Sequence, residues 1–191
     1  MKEINLFLDT EFTGLYQNTE LISLALIAET GEEFYAELND FNKQKAIQNP
    51  WVEAHVLGSL FLTDSQLQSR SLKNMYILEN KQGVKTGLEI WLAQFGVKKD
   101  NFNKIIPHIR IWADVPVYDW ILFSELFGGA KKIPPSLYNI PGDLATLLFT
   151  KGFSFDIPRE KLLKESELPS GVKHNALYDA RLGMKIFKKL R

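Results

Sequence analysis

The chain has 191 residues, 45% of them apolar and 12% aromatic, so it is long enough to bury the core of one domain and too apolar to be disordered. Its 23 basic residues balance 23 acidic ones, which argues against a protein that coats long nucleic acid. No cysteine is present; this excludes thiol chemistry, a disulfide framework and Cys-ligated zinc, and fits a reducing cytosol, so a cytoplasmic location is expected.

Residues 2–9 are expected to form the first strand. Met1-Lys2-Glu3 leads straight into it with no signal-like apolar run, and no stretch of the chain approaches a membrane span. Ile4, Leu6 and Leu8 alternate onto one face; Asn5, Phe7, Asp9 and Glu11 fall on the other. Asp9 and Glu11 therefore project together from the strand's end. A carboxylate on a buried face is costly unless a cation compensates it, and no Lys or Arg stands nearby in the sequence to do so. Paired oxygen ligands suit Mg²⁺ or Mn²⁺. Phe12-Thr13-Gly14-Leu15 then make a tight turn, either capped by core residues or set to touch a ligand.

Residues 20–28 read as a second strand, apolar on both faces and therefore central. Glu29-Thr30-Gly31-Glu32 turns it into a third at 33–38. Helical pieces follow at 43–57, where Trp51 and His55 lie one turn apart; the residue types alone place Trp51 in the core, and the pair is also spaced to line a pocket. Residues 58–81 are polar and weakly periodic, a loop or insertion. Arg70, Lys73, Lys81 and Lys85 read as a solvated face, with phosphate contact as the alternative. A helix at 84–95 should carry Leu88, Trp91, Leu92 and Phe95 inward, and residues 105–112, with His108, form a strand.

Helices are expected at 116–127 and 142–151. In the first, Asp119 shares a face with Leu122, Phe123 and Leu126, an acid on the apolar side. Asp114, just before Val115-Pro116, reads as the helix N-cap, so Asp119 is the better third ligand. A long loop with Pro158 and Pro169 spans 152–172 and ends at His174. In the last helix Ala176, Ala180, Gly183, Phe187 and Leu190 step by four and three along one buried stripe, with Asp179 beside it. Lys185, Lys188, Lys189 and Arg191 gather where they complement the helix dipole. The order of elements predicts an α/β layer with a mixed central β-sheet flanked by α-helices, one domain over 1–191, without repeats or linkers.

An early Asp-x-Glu at Asp9 and Glu11, a middle Asp119, and His174 four residues clear of Asp179 together resemble the DEDDh 3′–5′ exonucleases, which have the RNase H-like fold. Glu20-Leu21-Ile22-Ser23-Leu24, Trp51-Val52-Glu53-Ala54-His55-Val56-Leu57, Tyr118-Asp119 and the run from His174 to Arg181 resemble more closely the small bacterial, mycobacterial-type exoribonuclease branch. The resemblance covers most of the chain and thins between Gly58 and Lys81. One departure is Ala113-Asp114-Val115, where many members carry Gly-His-Asn.

The resemblance implies a two-metal hydrolysis of RNA or short single-stranded oligonucleotides from the 3′ end to 5′-mononucleotides, with Mg²⁺ replaceable by Mn²⁺. It implies Asp9 bridging both ions, Glu11 and Asp179 on the catalytic one, Asp119 acting through water on the second, and His174 as general base. Phe12, Thr13, Gly14, Leu15, Trp51 and His55 become substrate-binding residues, the loop before His174 a closing element, and a homodimer is allowed. A DNA exonuclease of the same fold and a catalytically silent nucleic-acid-binding domain are the competing expectations.

Overall fold

The computed structural model describes residues 3–191, so Lys2 of the expected first strand lies outside the described residues. Strand β1 (Ile4–Phe12) is followed by β2 (Leu21–Ala28) and β3 (Glu33–Leu38), an antiparallel meander as the alternation requires. Short helices α1 (Lys43–Ile47) and α2 (Pro50–His55) come next, each capped by an asparagine side chain, Asn42 and Asn49.

The segment expected to be a loop carries two strands instead, β4 (Ser69–Arg70) and β5 (Asn74–Glu79). β5 lies parallel to β3, with Met75 and Ile77 turned into the core. Helix α3 (Lys81–Ala93) buries Leu88, Trp91 and Leu92, with Phe95 packed against the same cluster just beyond its end. The strand expected at 105–112 is divided at Pro107, which lacks the N–H a ladder needs. A two-residue pair, β6 (Lys98–Lys99) with β7 (Ile105–Ile106), forms a separate sheet, while β8 (Ile109–Ala113) joins the main one beside β1. His108 sits just before β8, buried, and its carbonyl still accepts from the Ile4 N–H at 2.9 Å.

Helix α4 (Val117–Leu126) is followed by β9 (Gly142–Asp143), a short strand on β8. Helix α5 therefore begins at Leu144, not 142, and runs to Thr150, its N-cap the Asp143 side chain. A Cβ at Gly142 would stand 2.3 Å from the Trp112 ring, so only glycine lets β9 approach β8 here. The long loop contains two single turns of 3₁₀-helix, Arg159–Leu162 and Glu165–Glu167, before α6 (Ala176–Leu190).

The main sheet runs β4-β5-β3-β2-β1-β8-β9 with both parallel and antiparallel neighbours. All eight residues of β2 are buried, as its position near the middle demands. Leu6, Leu8, Leu24 and Leu26 face α3 and α4 on one side, while Phe7, Ala25, Ile27 and Tyr35 face α5 and α6 on the other. Ala176, Ala180 and Phe187 of α6 lie on that second face, Gly183 opposes Leu144, and Leu182 and Ile186 extend the buried surface onto Leu148. Between Glu11 and Phe12 the β1–β2 register shifts, a bulge at the edge of the acidic segment. Among the described residues, no helix is long and apolar enough to cross a membrane.

Candidate active site

Three elements deliver the acids. Asp9 and Glu11 leave the end of β1 on the α6 side, and Asp179 enters from the first turn of α6. One carboxylate oxygen from each lies within 4.8 Å of the others. Asp119, inward on α4 and 8% exposed, lines the same cavity but is held differently. Its Oδ1 accepts both the Thr10 backbone N–H at 2.9 Å and the Thr10 hydroxyl at 2.6 Å.

The electrostatics are those of a sheltered cluster of like charges. Burial first, then the fields of Asp119, Asp179 and Glu11, push Asp9 well above the usual carboxylate range. Burial and the neighbouring Asp179 and Asp119 push Glu11 up to about 8. Burial also raises Asp119 and Asp179 to about 6, against the opposing hydrogen bonds from Thr10 and from the His174 N–H. The cations that line the cavity are engaged elsewhere: Arg159 with Asp114 at 2.7 Å and Lys173 with Glu160 at 2.9 Å. An oxygen-only, mutually repelling, sheltered donor set of this kind fits a divalent cation.

His174 stands beside it. Its backbone adopts φ +61°, a left-handed conformation that costs a non-glycine residue about 1 kcal/mol or more. Its N–H donates to Asp179 Oδ2 at 2.9 Å. Its ring meets the Trp51 ring edge-on at 4.8 Å and the His55 ring at 5.8 Å, while Trp51 and His55 stack at 5.0 Å. Burial first, then the nearby Lys173 and His55, lower its pKa from the ordinary histidine value, which favours the neutral imidazole.

The cavity over these groups measures about 1060 Å³ and combines the acid floor with apolar walls from α5, α6 and residues 155–157. A family model described as the 3′–5′ exoribonuclease Rv2179c-like domain matches residues 4–190. The chain belongs to this family. The 3′–5′ exoribonuclease Rv2179c of Mycobacterium tuberculosis strain H37Rv, and its counterpart in strain CDC 1551, are each 30% identical to it over 182 residues, covering 95% of this chain and 90% of theirs. Among solved structures, cell-death related nuclease 4 aligns with a TM-score of 0.60 at 15% identity, over 98% of this chain and 63% of that one. E. coli exonuclease I in complex with a 5cy-dT13 oligonucleotide aligns with a TM-score of 0.50 at 14% identity, over 99% of this chain and 41% of that one. This chain thus spans less than two thirds of either structure, and at such identities the likeness establishes the fold, an RNase H-like exonuclease fold.

Within this member of the Rv2179c-like family the expected substrate residues divide. Phe12, stacked on Tyr118 at 5.2 Å, lines the cavity with Gly14, Leu15 and Trp51. Leu15 is 78% and Trp51 47% exposed, so Trp51 is not the core residue its type implied; the short α2 turns it outward toward His174. Thr13 is fully buried, its hydroxyl bonded to the Glu20 N–H and the Tyr16 hydroxyl, and it braces the turn instead of lining the cavity. His55 backs Trp51 and does not line the cavity itself. A Cβ on Gly14 would meet the Tyr16 ring at 2.5 Å. Arg70 pairs with Glu79, Lys85 approaches Glu89, and neither lysine nor arginine of that set reaches the cavity, in keeping with a solvated face.

Asp114 is not the cap of α4. Pro116 holds that position with no side-chain hydrogen bond, and Asp114 instead receives Arg159 through both Nε and Nη2, at 2.7 and 2.9 Å. Arg159 also donates to the Phe155 and Ile157 carbonyls, which ties the apolar wall to the end of β8. Neither Arg159 nor Lys173 stood out in the sequence, because their partners are remote in it. Asn175 carried a signal, a capping residue immediately before the last helix, and its Oδ1 does accept the Leu177 N–H.

Proposed function

We propose that residues 1–191 form one domain that acts as a metal-dependent 3′–5′ exoribonuclease, releasing 5′-mononucleotides from RNA or short single-stranded oligonucleotides in the cytoplasm. The observation that carries this reading is the convergence of Asp9, Glu11 and Asp179 within 4.8 Å, with the His174 N–H on Asp179, in a chain of the exoribonuclease family. Asp9, Glu11, Asp179 and Asp119 would hold two Mg²⁺ ions, with Mn²⁺ as a substitute. When bound, such a pair supplies charge stabilisation to the attacking and leaving oxygens of an in-line phosphoryl displacement.

Thr10 fixes Asp119 through one oxygen and leaves the other free for ligation. The His174 N–H fixes Asp179 in the same way. The neutral imidazole takes a proton from the attacking water as its oxygen bonds to phosphorus; the P–O3′ bond breaks and the departing 3′-oxygen is protonated from solvent. Phe12, Leu15 and Trp51 offer flat or apolar surfaces to the terminal bases, and Gly14 lets backbone approach the sugar.

Digestion of end-labelled RNA and DNA oligonucleotides of one sequence, with Mg²⁺ and with EDTA, tests this. Stepwise shortening of RNA from the 3′ end, abolished by EDTA, is expected. Undiminished activity in EDTA overturns the metal assignment, and faster loss of DNA reassigns the substrate.

A further inference from the structure

Behind His174 lies a set of buried and half-buried polar groups that the chemistry above does not use. Glu37, on the inner face of β3, is 1% exposed and has no cationic partner among the described residues. Its carboxylate is satisfied by three donors: the Tyr35 hydroxyl at 2.8 Å, the Phe61 N–H at 2.8 Å and the Leu62 N–H at 3.1 Å. The Tyr35 oxygen in turn accepts the Asn175 amide at 3.0 Å. That amide's other proton goes to the Ser59 carbonyl at 2.9 Å. The Ser59 hydroxyl then lies 2.8 Å from the His174 carbonyl, sharing its one proton between that oxygen and the Val56 carbonyl.

The bonds run unbroken from a fixed strand to the backbone of the proposed base. They meet it at the residue whose φ is +61°, a conformation that persists only where its surroundings hold it. The His174 carbonyl is held by Ser59, its N–H by Asp179, and the next residue by Tyr35 and Ser59. Each buried member is paired, which makes the set rigid. Packing alone does not require it: an apolar contact at Ser59 would fill the space without fixing a peptide plane.

We propose that Ser59 and Asn175, backed by Tyr35 and Glu37, are positioning residues that hold His174 in its left-handed backbone conformation and so fix where its ring stands against Trp51 beside the cavity. This rests on the assignment of His174 as the base. The test uses the full chain with Mg²⁺ and a labelled RNA oligonucleotide. Ser59→Ala should lower kcat roughly tenfold, as loss of one orienting hydrogen bond does, with KM unchanged. Ser59→Thr, which keeps the hydroxyl, should restore it. In a His174→Ala background Ser59→Ala should add nothing, because it acts through His174. Tyr35→Phe should repeat the pattern, and it carries the cycle if Ser59→Ala fails to fold.

A readout independent of turnover is amide hydrogen exchange of His174, whose N–H is held by Asp179; Ser59→Ala should speed it roughly tenfold without a comparable change in β2. Wild-type kcat in Ser59→Ala, losses that multiply with those of His174→Ala, or unchanged exchange would each overturn the positioning role while leaving the nuclease reading intact. A wild-type chain that cuts neither RNA nor DNA, with exchange altered as expected, overturns the nuclease reading and keeps the backbone device.

Discussion

Thr10 and Asp119, 109 residues apart in the chain, are joined by two hydrogen bonds to a single carboxylate oxygen. Thr10 faces away from Asp9 and Glu11 along β1, so the strand that supplies two acids also steers a third from its opposite side. Asp119→Ala should therefore lose activity by orders of magnitude while the fold persists. Thr10→Val keeps the shape and the N–H donor but removes the hydroxyl; it should need more Mg²⁺ for half-maximal rate. Equal Mg²⁺ titrations for Thr10→Val and wild type would show that the hydroxyl is only a core contact.

The acid cluster makes apo stability depend on pH. Glu11 and Asp179 are raised in the folded state, from 4.5 to about 8 and from 3.8 to about 6, so folding favours their protonated forms. Their contribution is complete below the unfolded values and is lost as pH rises through about 6 and then about 8. The apo melting temperature should fall across that window, and Mg²⁺ should restore it most at the alkaline end. Asp9→Asn should raise the apo melting temperature and abolish activity. Thermal melts in EDTA and in Mg²⁺ at several pH values check both, and a flat apo profile would refute the coupling.

His174→Ala should cut turnover roughly 10²–10⁴-fold and leave metal binding nearly intact. Since burial and Lys173 lower the His174 pKa below 6.5, the acidic limb of the kcat profile should lie below that value and vanish in the variant. Lys173→Ala should move the limb upward. A limb at the same pH in His174→Ala would assign it to another group.

Asp114→Ala should cost about 1–2 kcal/mol through Arg159, whose two charged hydrogen bonds it removes, and not through a lost helix cap. Urea melts of Asp114→Ala, Arg159→Ala and the double variant provide the check. The double variant should lose little more than either single one, and strictly additive losses would rule out the pair as the cause.

The three meander strands and the buried stripe of α6 were legible because each shows as a local period, and the four acids proposed as ligands because each stands where the alternation or the step of three and four calls for an apolar residue; His174 has no such local mark and drew attention only through Asp179 and the early Asp-x-Glu. β5 was not. Its six residues pair in parallel with β3, and a strand with polar flanks and a distant partner has no local signature. Trp51 misled because residue type says nothing of how far a six-residue helix turns. Asp114 looked like a cap since its neighbours are helical, whereas its partner Arg159 lies 45 residues on. Glu37 sat in an alternating strand as an ordinary polar residue, and only the docked 58–62 segment reveals two of its three donors, the Phe61 and Leu62 N–H groups.

Asp9 and Asp179 come from the first strand and the last helix, and the sheet brings them together only when α6 closes over Phe7 and Ala25. Every partly assembled form that lacks this docking has its acids apart.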